Sequence, residues 1–203
     1  MVYSKLSNPY TITQAMPTDV LPVELPSAKA RLRIDTEDEN ADLKGLIAAA
    51  SQKYEADTGV ALINRTVTAK FDEWPVGGEP IVLRPAPLVS VASVQYLDTG
   101  GATQTVAGST YTVDTDSLTG LVWLAFDKTW PTLRSVARAI TATYTAGHGT
   151  TPHDVPEIHQ QAILLLVGHW YANRESVVVG TTASDVPQGY DAIVSTQRLP
   201  LWP

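Results

Sequence analysis

The chain has 203 residues with 44% apolar and 17% charged side chains, enough aliphatic surface to bury a core and too little charge for a disordered polymer. Its net charge of −7 has the wrong sign for a protein that grips phosphates through lysine and arginine, which excludes avid nucleic-acid binding but not passage of DNA along its surface. The absence of cysteine removes disulfides, thiolate metal sites, iron–sulfur clusters and cysteine nucleophiles.

From the N-terminus, residues 1–22 show neither a strand nor a helix period and are broken by Pro9, Pro17 and Pro22, which predicts an extended arm. No apolar run follows a basic start there, so the stretch does not read as a secretory signal, and cytoplasmic synthesis is expected. Residues 23–60 read as a helical hairpin. Leu25, Ala28 and Leu32 recur at helical spacing from Glu24 to near Ile34, with Pro26 in the first turn, where its missing N–H costs nothing. A second helix opens on Glu37, Asp38 and Glu39, carries Leu43, Leu46, Ile47, Ala50 and Tyr54 as one stripe, and stops at Gly59. The acidic run from Asp35 to Asp42 lacks the ligand spacing and turn glycine of a calcium loop, and fits carboxylates favoured at a helix N-terminus.

Residues 61–150 change to period 2. Val67, Ala69 and Phe71 alternate with polar neighbours, as do Val89, Val91, Val94 and Tyr96, and Asp98 to Gly101 forms a hairpin turn. Further strands are expected at Tyr111 to Asp114, Leu121 to Phe126 and Ala137 to Thr145, making an antiparallel β insert. Trp74, Tyr96, Tyr111, Trp123 and Trp130 lack interleaved basic residues and read as β-core and interface anchors.

Residues 151–203 return to helix. A long helix over Val155 to Ser176 starts at Pro156 and Glu157, with Ile158, Ala162, Leu165, Leu166, His169 and Trp170 on one face. Its apolar stretch, Ala162 to Ala172, is about half of what a bilayer needs, so a buried helix and no membrane partner are expected. Val177 to Gln188 reads as a loop, Gly189 to Arg198 as a short closing helix, and Leu199 to Pro203 as a tail. The fold class is α+β: a helical core of two N-terminal helices and a long C-terminal helix, with an antiparallel β insert between them, folding as one cooperative unit. The expected packing residues are Leu32, Leu43, Leu46, Ile47, Tyr54, Ile158, Ala162, Leu165, Leu166 and Trp170.

No chemistry-bearing constellation is present. There is no Gly-rich phosphate loop with its lysine, no dinucleotide fingerprint and no Gly-x-Ser-x-Gly elbow. His148, His153, His159 and His169 do not form the His-Glu-x-x-His arrangement; His159 is expected on the helix surface and His169 in its core. The sequon Asn64-Arg65-Thr66 has no secretion signal to support it. No catalytic residue, metal or cofactor is expected.

Several fragments, in order, resemble one family. They are Leu32-Arg33-Ile34-Asp35; Ala48-Ala49-Ala50 with Tyr54-Glu55-Ala56-Asp57-Thr58-Gly59; Pro87-Leu88-Val89-Ser90-Val91 with Tyr96-Leu97-Asp98; Tyr144-Thr145-Ala146-Gly147-His148-Gly149; Val155-Pro156-Glu157-Ile158 through Gln161-Ala162-Ile163-Leu164-Leu165; and His169-Trp170-Tyr171-Ala172-Asn173-Arg174-Glu175. They are similar to the head-tail connector (adaptor) proteins of long-tailed phages and gene transfer agents, in the branch with a β domain between helices. Near the end, Pro187-Gln188-Gly189-Tyr190 and Arg198 match the closing segment, while Ile193-Val194 stands where a leucine pair is usual and Gln197 where an aromatic is common.

The resemblance implies a virion neck protein: a ring of about twelve copies beneath the portal, closed by one repeated heterologous contact. The ring joins the portal protein to the stopper or tail-completion protein and passes double-stranded DNA through its lumen without sequence-specific binding. It also implies that Tyr190, Ile193, Val194 and Arg198 dock on the portal or a neighbouring subunit, and that removal of residues after Gln188 leaves a folded core. The rival reading is a carbohydrate- or host-binding β module of a phage tail, which accounts for the middle of the chain alone.

Overall fold

A computed structural model describes residues 20–173 and 187–199. Residues 1–19 of the expected arm, most of the expected 177–188 loop and the tail from 200 onward lie outside these residues. The chain divides into two compact units: a β unit, Arg65–Gly147, and a helical unit built from the described residues on either side of it. Among the described residues, four α-helices and two antiparallel sheets make the fold a mixed one of helix and strand, each class in its own unit.

The helical unit holds α1 (Leu25–Leu32), α2 (Asn40–Thr58), α3 (Glu157–Ala172) and α4 (Gln188–Gln197). Pro26 sits in the first turn of α1, and Arg33 closes that helix in the left-handed conformation at φ 58°. Gly59 ends α2 at φ 78°, where a side chain would be strained. A polar clasp sets the start of α3: the Thr151 amide and hydroxyl each donate to Asp154 Oδ2 at 2.9 Å, ahead of Pro156 at the N-cap.

The buried face of α3 is His159, Ala162, Ile163, Leu166 and Val167, a stripe rotated from the expected one. Ile158 is 42% exposed, and Leu165 and His169 are only half-buried. An all-round apolar helix offers no polar face to fix its orientation, so packing against α1, α2 and α4 chooses the stripe. The expected arrangement of three core helices is also incomplete, because Tyr190 and Val194 of α4 belong to the same core.

In the β unit, β1 (Arg65–Phe71), β7 (Ile140–Ala146), β3 (Leu88–Leu97) and β4 (Thr103–Thr105) form one sheet in the order β1-β7-β3-β4. The second sheet has β2 (Ile81–Leu83), β6 (Gly120–Leu124) and β5 (Tyr111–Asp114) in the order β2-β6-β5. Alternation puts Val67, Ala69 and Phe71 inward opposite Tyr144, Ala142 and Ile140. In β3 the alternation is broken: register shifts at Leu88/Ser90 and Val91/Ser93 turn Val89 outward to 46% exposure and leave Val94 buried. The three-residue strands β2 and β4 escape a period-2 reading because they are too short to show one.

Two long connections of the β unit are pinned to each other. Trp74, after β1, stacks on Trp130, after β6, with centroids 4.5 Å apart and planes at 8°, and its Nε1 donates to the Pro131 carbonyl at 2.8 Å. The Arg138 amide donates to Asp72 Oδ1 at 2.6 Å. Gly120 marks where backbone meets a neighbouring side chain, since a Cβ there would lie 2.5 Å from Leu88 Cβ. Gly120→Ala is therefore expected to destabilise the β unit by about 1–3 kcal/mol, read as a lower melting temperature, whereas Gly108→Ala, with open space at its Cβ, should change little.

Candidate functional site

The closing helix is the element to which the sequence assigns docking, and its seat is the C-terminal turn of α2. Tyr190 is 1% exposed; its hydroxyl donates to Asp57 Oδ2 at 2.6 Å and its ring meets Tyr54 edge-on at 6.2 Å. At the other end of α4, Arg198 Nε donates to the Asp57 carbonyl at 2.8 Å and the Leu199 amide to the Thr58 carbonyl at 2.9 Å. One turn of α2 thus holds α4 at both ends. Partial burial pulls the Asp57 pKa upward, but the Tyr190 hydrogen bond, the Lys53 bond and charge, and the Arg198 charge outweigh it and hold the carboxyl below its ordinary value. Asp57 is the ionised acceptor of this joint, and burial, reinforced by Asp57, pushes the Tyr190 hydroxyl well above the usual phenol range.

Behind it lies a second buried polar group. Tyr54, fully buried, shares a 2.7 Å hydrogen bond with His159 Nδ1, and the His159 ring sits 5.0 Å from that of His148. Burial, and then the nearby His148, lower the His159 pKa to about 4, so the ring is a neutral imidazole at pH 7. Burial lowers His148 as well, and its Nε2 is buried without a hydrogen-bond partner among the described residues.

The fold is shared with chains of gene transfer agent particles. A chain in the neck of an empty gene transfer agent (GTA) particle, computed with C6 symmetry, superposes with a TM-score of 0.76 at 24% identity, over 96% of this chain and 97% of that one. A chain of the virion of a native GTA particle gives 0.75 at 23% identity over 97% and 98%. A chain in the neck of a native GTA particle with C12 symmetry gives 0.73 at 22% over 96% and 97%. No family model and no curated protein matches the sequence.

The structure sorts the expected docking residues unequally. Tyr190 and Val194 are core side chains, 1% and 8% exposed, and Ile193 packs partly against the same core. Arg198 is exposed, and its Nε donates to the Asp57 carbonyl of its own chain. The reason is periodicity: a ten-residue amphipathic helix has one apolar stripe, and the helical unit itself takes it. Of the expected packing residues, Leu43, Ile47, Tyr54, Ala162 and Leu166 are buried, while Leu32, Leu46 and Trp170 border the core. Leu165 is half-buried, with its Cδ1 3.5 Å from where a Cβ on Gly189 would lie, and Ile158 faces outward.

His159 is a core residue, contrary to its expected surface position, and the neighbourhood of His148 and His159 was missed altogether. Its only sequence signal is a histidine on an otherwise apolar helix, a common pattern. His153 is exposed, 3.8 Å from Glu24, and no group of three or more metal-ligating side chains converges among the described residues. Among those residues no helix is long and apolar enough to cross a membrane.

Proposed function

We propose that this chain is a head-to-tail adaptor subunit in the virion neck of a tailed phage or gene transfer agent. It would form a ring below the portal that joins it to the stopper or tail-completion protein and lines the DNA channel. The observation that carries this reading is the likeness over nearly the full length of both chains to subunits of symmetric GTA necks. A tail-borne sugar-binding module would draw on Arg65–Gly147 alone, and there Trp74 and Trp130 spend facing ring surfaces on each other. The role is structural and not catalytic: the polar side chains gathered in the helical unit bond one another and hold helices together.

Docking by α4 is assigned to its outward face. Asp191, Ala192, Ser195 and Thr196 are exposed there, with Arg198 at the end. Deletion of the gene is expected to give filled heads without tails, restored by the wild-type chain and counted by electron microscopy. Ala192→Arg with Ser195→Arg should leave the fold intact, by an unchanged melting temperature, and lower the yield of tailed particles at least about tenfold, the effect of losing one well-packed contact patch. Normal tailed particles in the absence of the gene would overturn the neck reading. Truncation after Gln188 is a different experiment, because it strips Tyr190 and Val194 from the core and is expected to unfold the helical unit.

A further inference from the structure

The two buried polar groups of the helical unit meet at one ring. Tyr54 holds His159 on its hydroxyl and Tyr190 on its edge, and Tyr190 in turn holds Asp57. A continuous line of contacts therefore runs from His148 through His159, Tyr54 and Tyr190 to Asp57, whose main-chain carbonyl accepts Arg198 Nε at the far end of α4.

Hydrogen-bond chemistry gives this line a direction. Tyr54 is fully buried and its hydroxyl has one partner among the described residues, so it donates to Nδ1 of a neutral His159. An imidazolium carries hydrogen on both nitrogens and accepts nothing. Protonation of His159 thus sets a donor against the same hydroxyl and leaves the Tyr54 hydrogen without an acceptor in an apolar core. Burial holds the Tyr54 hydroxyl far above the usual phenol range, so it does not respond by ionising.

The groups that face His159 among the described residues offer an imidazolium no counter-charge. α2 presents Tyr54 to it, and the segment after β7 presents His148, a second base whose protonation adds like charge. From α4 the titratable group on this line is Tyr190, behind Tyr54, and α1 brings Leu25, Ala28 and Leu32 to the shared core. The Asp57 carboxylate is engaged with Tyr190 and Lys53, Glu55 Oε1 accepts the Leu62 amide, and His153 and Glu24 face each other in an exposed pair. Displacement of Tyr54 is the relief that remains, and it falls on α4. That helix buries Tyr190 and Val194, whereas α2 buries six side chains and α3 five. An element with few buried contacts opens at the smallest cost.

We propose that His159, Tyr54 and Tyr190 form an acid-operated latch on α4, in which a proton on His159 unseats α4 while α2 and α3 stay packed. Opening takes up a proton between the folded His159 value of about 4 and the ordinary 6.5, so seating is complete above pH 6.5 and weakens as the pH falls below it. The latch is a property of the single chain. It rests on the neck reading only for its consequence, that unseated α4 presents no ordered docking face.

Thiol labelling of the cysteine-free chain is the test. Val194→Cys places a thiol on the buried face of α4, Ser195→Cys one on its outward face, and Ala50→Cys one at a fully buried position of α2. Each full-length variant is labelled with dithiodipyridine, which reacts with thiols at pH 5 as well as at pH 7.5. Rates are taken relative to Ser195→Cys, which removes the pH dependence of the thiol itself. Between pH 7.5 and pH 5 the relative rate at 194 is expected to rise about tenfold or more, while that at 50 keeps its pH 7.5 level. In a His159→Gln background, which takes up no proton at this position, the rise at 194 should disappear. Tyr54→Phe keeps the ring and removes the hydroxyl; it should cut the rise to about twofold, and it decides the matter if His159→Gln does not fold. Equal rises at 194 and 50 would show the helical unit opening as a whole and overturn the latch. So would no rise at 194, or a rise that survives unchanged in His159→Gln or Tyr54→Phe. These measurements need no particles, so failure of the neck reading is read separately, from tailed particles formed without the gene.

Discussion

Lowering the pH from 6.5 towards 4 is expected to loosen the helical unit while the β unit stays folded. His159 is 4% exposed and carries a pKa of about 4 in the folded chain, against an ordinary value of 6.5 once the chain unfolds. Unfolding therefore takes up a proton in this interval, and stability that is fully present above pH 6.5 is lost as the pH falls through the folded value. The loss is on the order of 2 kcal/mol, and His148, lowered by the same burial, adds to it. The lowered carboxylates Asp57, Asp98, Asp114 and Asp154 act in a different window: their stabilisation is present above the ordinary aspartate value of 3.8 and fades only below it.

Thermal melts of the wild type between pH 7.5 and 4.5, followed by circular dichroism, measure the effect. His159→Ala strands the buried Tyr54 hydroxyl and should cost about 1–3 kcal/mol at pH 7 while flattening the pH dependence above 4.5. The flattening is what distinguishes linkage from general destabilisation. A variant whose melting temperature still falls as steeply between pH 6.5 and 4.5 as that of the wild type would place the proton uptake elsewhere.

Leu166→Asp is expected to abolish folding of the helical unit. Leu166 is fully buried on α3 among residues of α1, α2 and α4, and the substitution removes its packing and places a carboxylate in an apolar core. The combined cost, about 5 kcal/mol or more, is comparable to the whole stability of a domain, so insolubility or the absence of a cooperative melt is the expected readout. Leu166→Met, nearly equal in volume, should stay within about 1.5 kcal/mol of the wild type. Leu165→Asp, one residue away on the half-buried side of the same helix, should be markedly milder. Equal effects at 165 and 166 would contradict the burial pattern of α3.

Local physics made much of this fold legible without coordinates. The left-handed stop at Gly59, the Leu43–Ile47–Tyr54 stripe of α2, the Asp98–Gly101 turn and the alternation in β1 each follow from interactions within a few residues. What periodicity leaves open, tertiary packing decided. An all-round apolar helix has no preferred inward face, so whether His159 or His169 enters the core depends on what α2 and α4 present to it. Two bulges reverse the facing of Val89, a change that strict alternation cannot anticipate. The docking role of Tyr190, Ile193, Val194 and Arg198 comes from the family resemblance of the closing segment; only the fold shows that Tyr190 and Val194 are buried in their own chain and that Asp57, more than a hundred residues earlier, bonds Tyr190 and Arg198.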